Sequence, residues 1–209
     1  MKLNRHSSII LAGVLTLAFG LTSLVSSAQL GLVINEIMLS NATTIASEEN
    51  EFPDWIELYN GSGEDVNLNG YGLSDRDDDL FQWSFPDVII YQGEYLIIFA
   101  SNEDMFEDGY YHTNFKLSSA GERVILTKPS QIILDQIDPV SVGTDISYGR
   151  YPDGSEHMER LYSSTPGESN DSVNGILFSH ESGYFTSSFE LNLSPSGNQE
   201  IRYTTDGSD

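Results

Sequence analysis

The densest concentration of chemically capable side chains is Asp75-Arg76-Asp77-Asp78-Asp79, with carboxylates at all but one of its positions. Calcium is bound by hard oxygen donors, and carboxylates on a turn supplemented by backbone carbonyls are one way to supply them. Asp75, Asp77, Asp78 and Asp79 are therefore the candidate metal ligands, with calcium as the implied ion and a solvated loop as the plain alternative. Glu48, Glu49, Glu51 and Asp54 form a second, thinner cluster. Asp65-Val66-Asn67-Leu68-Asn69-Gly70 has the spacing of the first half of an EF-hand loop. The position where that loop needs its bidentate Glu is Arg76, and the alternation of Val66 and Leu68 reads as a strand instead.

Catalytic chemistry finds less support. Acid pairs are so numerous that none stands out as a general acid and base. Beyond His6, the histidines are His112, His157 and His180, far apart in sequence. There is no G-x-S-x-G, no H-E-x-x-H and no glycine-rich phosphate loop, so no catalytic residue is assigned and a noncatalytic protein is expected. The chain has no cysteine, which removes disulfides, thiolate nucleophiles, zinc–thiolate sites and iron–sulfur clusters. Tyr110, Tyr111, Tyr151, Tyr162 and Tyr184 offer faces on which sugars could stack; each could equally pack as an ordinary strand aromatic.

Charge limits the partners. The formal net charge is −23, from 9 Lys+Arg against 32 Asp+Glu. Such a chain repels phosphate backbones and anionic membrane surfaces, so nucleic acid is not an expected partner. Residues 1–28 have a basic head (Lys2, Arg5), an apolar run from Ile9 to Leu24, and small residues at Ser26-Ser27-Ala28. This is the pattern of a secretory signal peptide cut at Ala28–Gln29. Its removal would leave a secreted or cell-surface chain with no stable membrane insertion. Both lost charges are basic, so the mature charge would be −25.

The elements that must hold these residues are strands. Short apolar runs broken by Gly, Pro, Asn and Asp predict strands at Leu32–Met38, Trp55–Tyr59, Asp65–Leu68, Tyr71–Ser74, Phe81–Phe85, Tyr95–Ala100, Arg123–Thr127, Ile132–Ile137 and Ser147–Arg150. No window supports a long helix, so the expected class is all-β, a sandwich or barrel. Tyr95–Ala100 is apolar on both faces and suits a central strand, while Trp55, Trp83 and Phe85 are expected in the core. Glu57 and Asp54 are expected to give the second strand a polar edge. Ser40 to Pro53 and Ser101 to Thr113 read as long acidic loops, the usual place for binding residues on a rigid scaffold.

Several motifs occur in an order that resembles the lamin tail domain family in its bacterial, secreted form. They are Asn35-Glu36-Ile37, Asp54-Trp55-Ile56-Glu57-Leu58-Tyr59-Asn60, Tyr71-Gly72-Leu73-Ser74-Asp75 and Trp83-Ser84-Phe85-Pro86. Further matches are Gly93-Glu94-Tyr95-Leu96, the stretch Phe115 to Glu122, Ser147 to Gly154, and Thr165-Pro166-Gly167. The resemblance covers residues 30–168 and implies an immunoglobulin-like β-sandwich used as an interaction module. After a linker at 169–175, residues 176–209 resemble the opening of a chitobiase C-terminal-like, fibronectin-type β module that stops in mid-domain. The combination implies a noncatalytic extracellular interaction or spacer module of a larger protein, binding protein, polysaccharide or envelope. Two alternatives accompany it. One is the ancillary region of a secreted enzyme, a spore-coat-protein-H-like kinase or a hydrolase, whose catalytic domain lies beyond residue 209. The other is a calcium-stabilised adhesin domain. Asn41, Asn60, Asn170 and Asn192 each begin an N-x-S/T sequon.

Overall fold

The structure is a computed structural model that describes residues 31–107, 109–172, 176–178, 186–188 and 190–195. The expected signal peptide, His180, Tyr184 and most of the expected second module lie outside the described residues. In chain order the strands are β1 (Leu32–Met38), β2 (Asp54–Asn60), β3 (Val66–Asn67), β4 (Gly72–Ser74), β5 (Trp83–Ser84) and β6 (Ile89–Ile90). There follow β7 (Tyr95–Ala100), β8 (Met105–Glu107), β9 (Tyr110–His112), β10 (Val124–Thr127) and β11 (Ile133–Ile137). The last are β12 (Ser147–Arg150), β13 (Met158–Leu161), β14 (Ile176–Phe178) and β15 (Leu193–Pro195), with a short 3-10 turn at Asn170–Ser172.

A seven-stranded sheet in the order β13-β12-β1-β2-β7-β9-β8 packs over a four-stranded sheet, β11-β10-β4-β5. β3 and β6 form a small ribbon, as do β14 and β15. Apart from the parallel contact of β7 with β9, the strand pairs are antiparallel. Alternation builds the core. Leu32, Ile34, Ile37, Ile56, Leu58 and Ile98 of the large sheet meet Leu73, Trp83, Val124 and Leu126 of the small one, with Phe85 and Leu68 closing the ends. Trp83 and Phe85 touch edge to face at 4.7 Å. β7 is interior, as its doubly apolar sequence predicts.

Trp55 is fully buried as expected, in a second core cluster with Met38 and Phe99 on the far face of the large sheet. The expectations needed correction in two places. The acidic stretch Ser101 to Thr113 is not one loop: it folds into the β8–β9 hairpin and extends the sheet. Glu57 lines no polar edge, because its exposure is 0%.

The last point begins in β1. The pairing of β1 with β2 matches Ile34 with Leu58 and then Glu36 with Glu57, so Asn35 is the extra residue of a β-bulge. A bulge breaks the two-residue alternation. Ile34 and Ile37 thereby both reach the core, while Asn35 and Glu36 both turn to the opposite face beside Glu57. The sheet's far face therefore carries a polar centre.

Candidate functional site

That polar centre is sealed by the chain after β12. Asn35 donates through Nδ2 to Glu57 Oε1 at 3.1 Å and to Asp153 Oδ1 at 2.9 Å, and its Oδ1 accepts from the Gly154 amide at 3.1 Å. The Gly167 amide donates to Glu57 Oε2 at 2.7 Å. Thr165 donates its hydroxyl to Glu36 Oε2 at 2.9 Å and its amide to the same carboxylate. Asn170 ties the Arg150 carbonyl to the cover through a 2.7 Å bond from Nδ2, and its hydroxyl partner is Thr165. Tyr95 adds a 2.7 Å bond from its hydroxyl to Asp153 Oδ2.

Two carboxyls in this centre, Glu36 and Glu57, are cross-strand partners and both are fully buried. Burial, then the neighbouring Glu36 charge, push Glu57 up to about 9, and burial raises Glu36 as well. Burial and the Asp153 hydrogen bond likewise raise the Tyr95 phenol. Nearby, Arg150 reaches both oxygens of Asp135 from Nη2 at 2.8 and 2.9 Å, donates from Nε to the Ile34 carbonyl at 2.8 Å, and bonds the Ser155 carbonyl through Nη1. Asp135 in turn accepts from the Ile34 amide at 2.7 Å, which locks the start of the bulge to the opposite sheet. These groups face backbone and each other, so the centre is a closure between segments.

The second polar group is at the β7–β9 end. His112, 1% exposed, stacks on Phe99 at 5.3 Å. Its Nε2 is 3.1 Å from Glu48 Oε2, and its Nδ1 is 2.9 Å from Ser101 Oγ and 3.1 Å from Glu103 Oε2. The ring thus joins the segment before β2 to the turn after β7. The stretch from Ser40 to Pro53 is a long loop, as expected, held as a cover by its own hydrogen bonds. Asn41 donates from Nδ2 to the Ile45 and Pro53 carbonyls at 2.8 Å each, Asp145 accepts from the amides of Ala42 and Thr43, and the Trp55 indole reaches Thr44 at 3.3 Å. Between this cover and β9 lies an open groove of about 280 Å3, lined by Ile45, Tyr95, Ile97, Phe99 and Tyr110 among others. A second cavity of about 260 Å3, beside Phe52 and Ser101, is lined by Glu51, Asp54, Glu103 and Lys116.

The candidate metal ligands are only partly gathered. Asp78 is bidentate to Arg76 at 2.9 Å, and Asp77 accepts from Arg123 at 2.8 Å. Asp75 is half-buried against Gln82, and burial raises its carboxyl; Asp79 accepts the Gln82 amide through its backbone carbonyl. Among the described residues, no three or more His, Asp or Glu side chains come together as a set that could hold a metal ion. In the EF-hand-like stretch Val66–Asn67 form β3 and Asn69 and Gly70 the turn after it, with Asn67 bonded to Asp87 and Asp65 to the Gln92 amide.

Of the tyrosines, Tyr110 and Tyr162 are exposed, Tyr111 is in the core and Tyr151 is half-buried. Sequon residues Asn60 and Asn170 are 0% exposed, their side chains committed to the Glu64 and Ile90 carbonyls and to Arg150 respectively. Asn41 is committed to Ile45 and Pro53. No helix among the described residues is long and apolar enough to cross a membrane.

No curated protein matches this sequence at a significant level. The family model described as Lamin Tail Domain matches residues 25–141, more than half of the chain. β12 and β13, which lie after the matched span, complete the same seven-stranded sheet. With its two-sheet, immunoglobulin-like architecture in place and its first eleven strands inside the match, the chain belongs to the lamin tail domain family.

Proposed function

We propose that this chain is a noncatalytic extracellular module that holds a larger secreted or cell-surface protein to a partner in the envelope. The observation that carries this reading is how the acidic side chains of the far face are used. Glu36, Glu57 and Asp153 each accept hydrogen bonds from segments that cover the sheet, so they fix a rigid platform instead of facing a substrate cleft. A platform fixed by long-range bonds can present a groove and its rim in one geometry, which lowers the ordering cost of binding. The acidic surface suits a soluble exported protein and repels nucleic acid.

The test is retention. The full chain is incubated with isolated bacterial envelopes, and separately with insoluble chitin, cellulose and peptidoglycan, then sedimented. The expected result is saturable retention on the envelopes, with no sugar released and no nucleotide consumed. Failure to sediment with any of them, or turnover of any of them, overturns the reading.

A further inference from the structure

The groove on the far face has a chemistry narrower than "partner". Its floor and walls are Ile45, Tyr95, Leu96, Ile97, Phe99 and Tyr110. The Tyr95 hydroxyl is already spent on Asp153. The aromatic faces are also used internally: Tyr95 stacks on Tyr59 at 5.0 Å, and Phe99 stacks with Tyr110 at 6.3 Å and with His112 at 5.3 Å. A sugar needs free ring faces and many hydrogen-bonding groups, and this groove has few of either. An aliphatic or aromatic side chain needs only the apolar walls.

The rim has one sign. Glu107 is the cross-strand partner of Tyr110, Glu94 directly precedes Tyr95, and Glu49 follows the lining residue Ala46 in the first cover; all three acids are exposed. Glu103 and Lys116, of opposite charge, both line the neighbouring cavity, not the groove. An acidic rim around an apolar slot, on a chain of net charge −23, complements a segment with basic residues flanking apolar ones and repels an acidic one.

We propose that the groove bounded by Ile45, Ile97 and Tyr110 docks an extended, lysine- or arginine-rich protein segment through an apolar side chain. The apolar anchor supplies the bound geometry, and the carboxylate rim supplies attraction and speed of encounter. The proposal rests on the interaction-module reading and names the partner of its groove.

The test uses the full chain and three short fluorescent peptides: alternating Lys and Leu, alternating Glu and Leu, and alternating Lys and Ser. The expected result is saturable binding of the Lys/Leu peptide alone, weakening steeply as salt rises. Tyr110→Ala and Ile45→Ser should each weaken it by roughly tenfold, while Asp77→Asn, on the Arg123 side, leaves it unchanged. Equal binding of the Lys/Ser peptide would mean adsorption by charge and would overturn the proposal. So would unaltered affinity in groove variants that melt like the parent. If a groove variant fails to fold, the peptide series still decides. A chain that sediments with envelopes but ignores all three peptides loses this proposal and keeps the module reading; one that does neither loses both.

Discussion

The Gly167 amide donates a 2.7 Å hydrogen bond to Glu57 Oε2 across 110 residues of sequence. Glu57 sits in the middle of β2, and Gly167 belongs to the Thr-Pro-Gly turn that ends the sandwich. One bond thus connects the central strand to the chain's exit from the domain. Thr165 does the same for Glu36 at 2.9 Å. Motifs far apart in the sequence are the two sides of one closure.

That closure makes stability depend on pH in a defined direction. Glu57 is held at about 9 in the fold against an ordinary value of 4.5, and Glu36 is shifted the same way. A raised carboxyl binds its proton more tightly folded than unfolded, so the folded state carries the extra proton between those two values. Stability from this group is complete below about 4.5 and is lost as pH rises towards about 9. The expected melting midpoint therefore declines from mildly acidic to mildly alkaline pH. Glu57→Gln, which keeps the shape and cannot ionise, should flatten that decline. Melts of parent and variant across this range check it, and identical slopes would refute the assignment.

The same residues mark where the sequence is readable and where it is not. β1, β7 and β10 are legible because their apolar runs are long enough for local pattern to decide. Glu57 is illegible locally: an acid in an apolar strand reads as an exposed edge, and the groups that bury it arrive from Asn35, on a bulge, and from Gly167. The β8–β9 hairpin is acidic and only three residues per strand, so its pairing depends on β7 and its sequence reads as loop. His112 could be singled out by type, but not its partner Glu48, 64 residues away. The order of the family motifs does signal that their residues act together, without saying that they meet in a buried network.

Arg150 should be the most sensitive charged position. Its side chain and that of Asp135 are 9% and 13% exposed, and Arg150 places Nη2 on both Asp135 oxygens and bonds two carbonyls besides. Arg150→Ala strands the Asp135 carboxylate and should cost about 3 kcal/mol or more, within the usual range for breaking a buried pair. At ~2–4 °C per kcal/mol for a chain of this size, the midpoint falls on the order of 10 °C. Arg150→Lys keeps the charge but cannot serve the carboxylate and both carbonyls in the guanidinium's geometry, and should recover only part. A double variant with Asp135→Ala should lose less than the two single losses added together; additive losses would show that the pair is not coupled.

Gly149 reports on packing at the same closure. A Cβ there would lie 2.8 Å from Leu161 Cδ1, 3.0 Å from Asn170 Nδ2 and 3.1 Å from the Asn35 carbonyl. Leu161 can shift, but the other two belong to the hydrogen-bonded network. Gly149→Ala should therefore destabilise by about 1–3 kcal/mol, as overpacking does in other well-filled interiors. Denaturant unfolding measures this directly. An unchanged midpoint would mean that the Asn170 side of the network yields without cost.

Calcium at Asp75, Asp77, Asp78 and Asp79 meets a specific obstacle. Arg76 holds Asp78 and Arg123 holds Asp77, so an ion gathering those carboxylates must first displace two guanidinium groups. Both pairs are exposed and individually weak, which makes displacement a question of the ion's affinity. A ligand that binds only the native state raises the melting midpoint in proportion to its saturation. With the arginines in place, millimolar calcium and chelator should give superimposable melts. Arg76→Ala and Arg123→Ala together should free the carboxylates and, if the turn can gather them, produce a calcium-dependent rise that the parent lacks. A calcium-dependent rise already present in the parent would show that the ion outcompetes both arginines and would restore these four aspartates as a metal site.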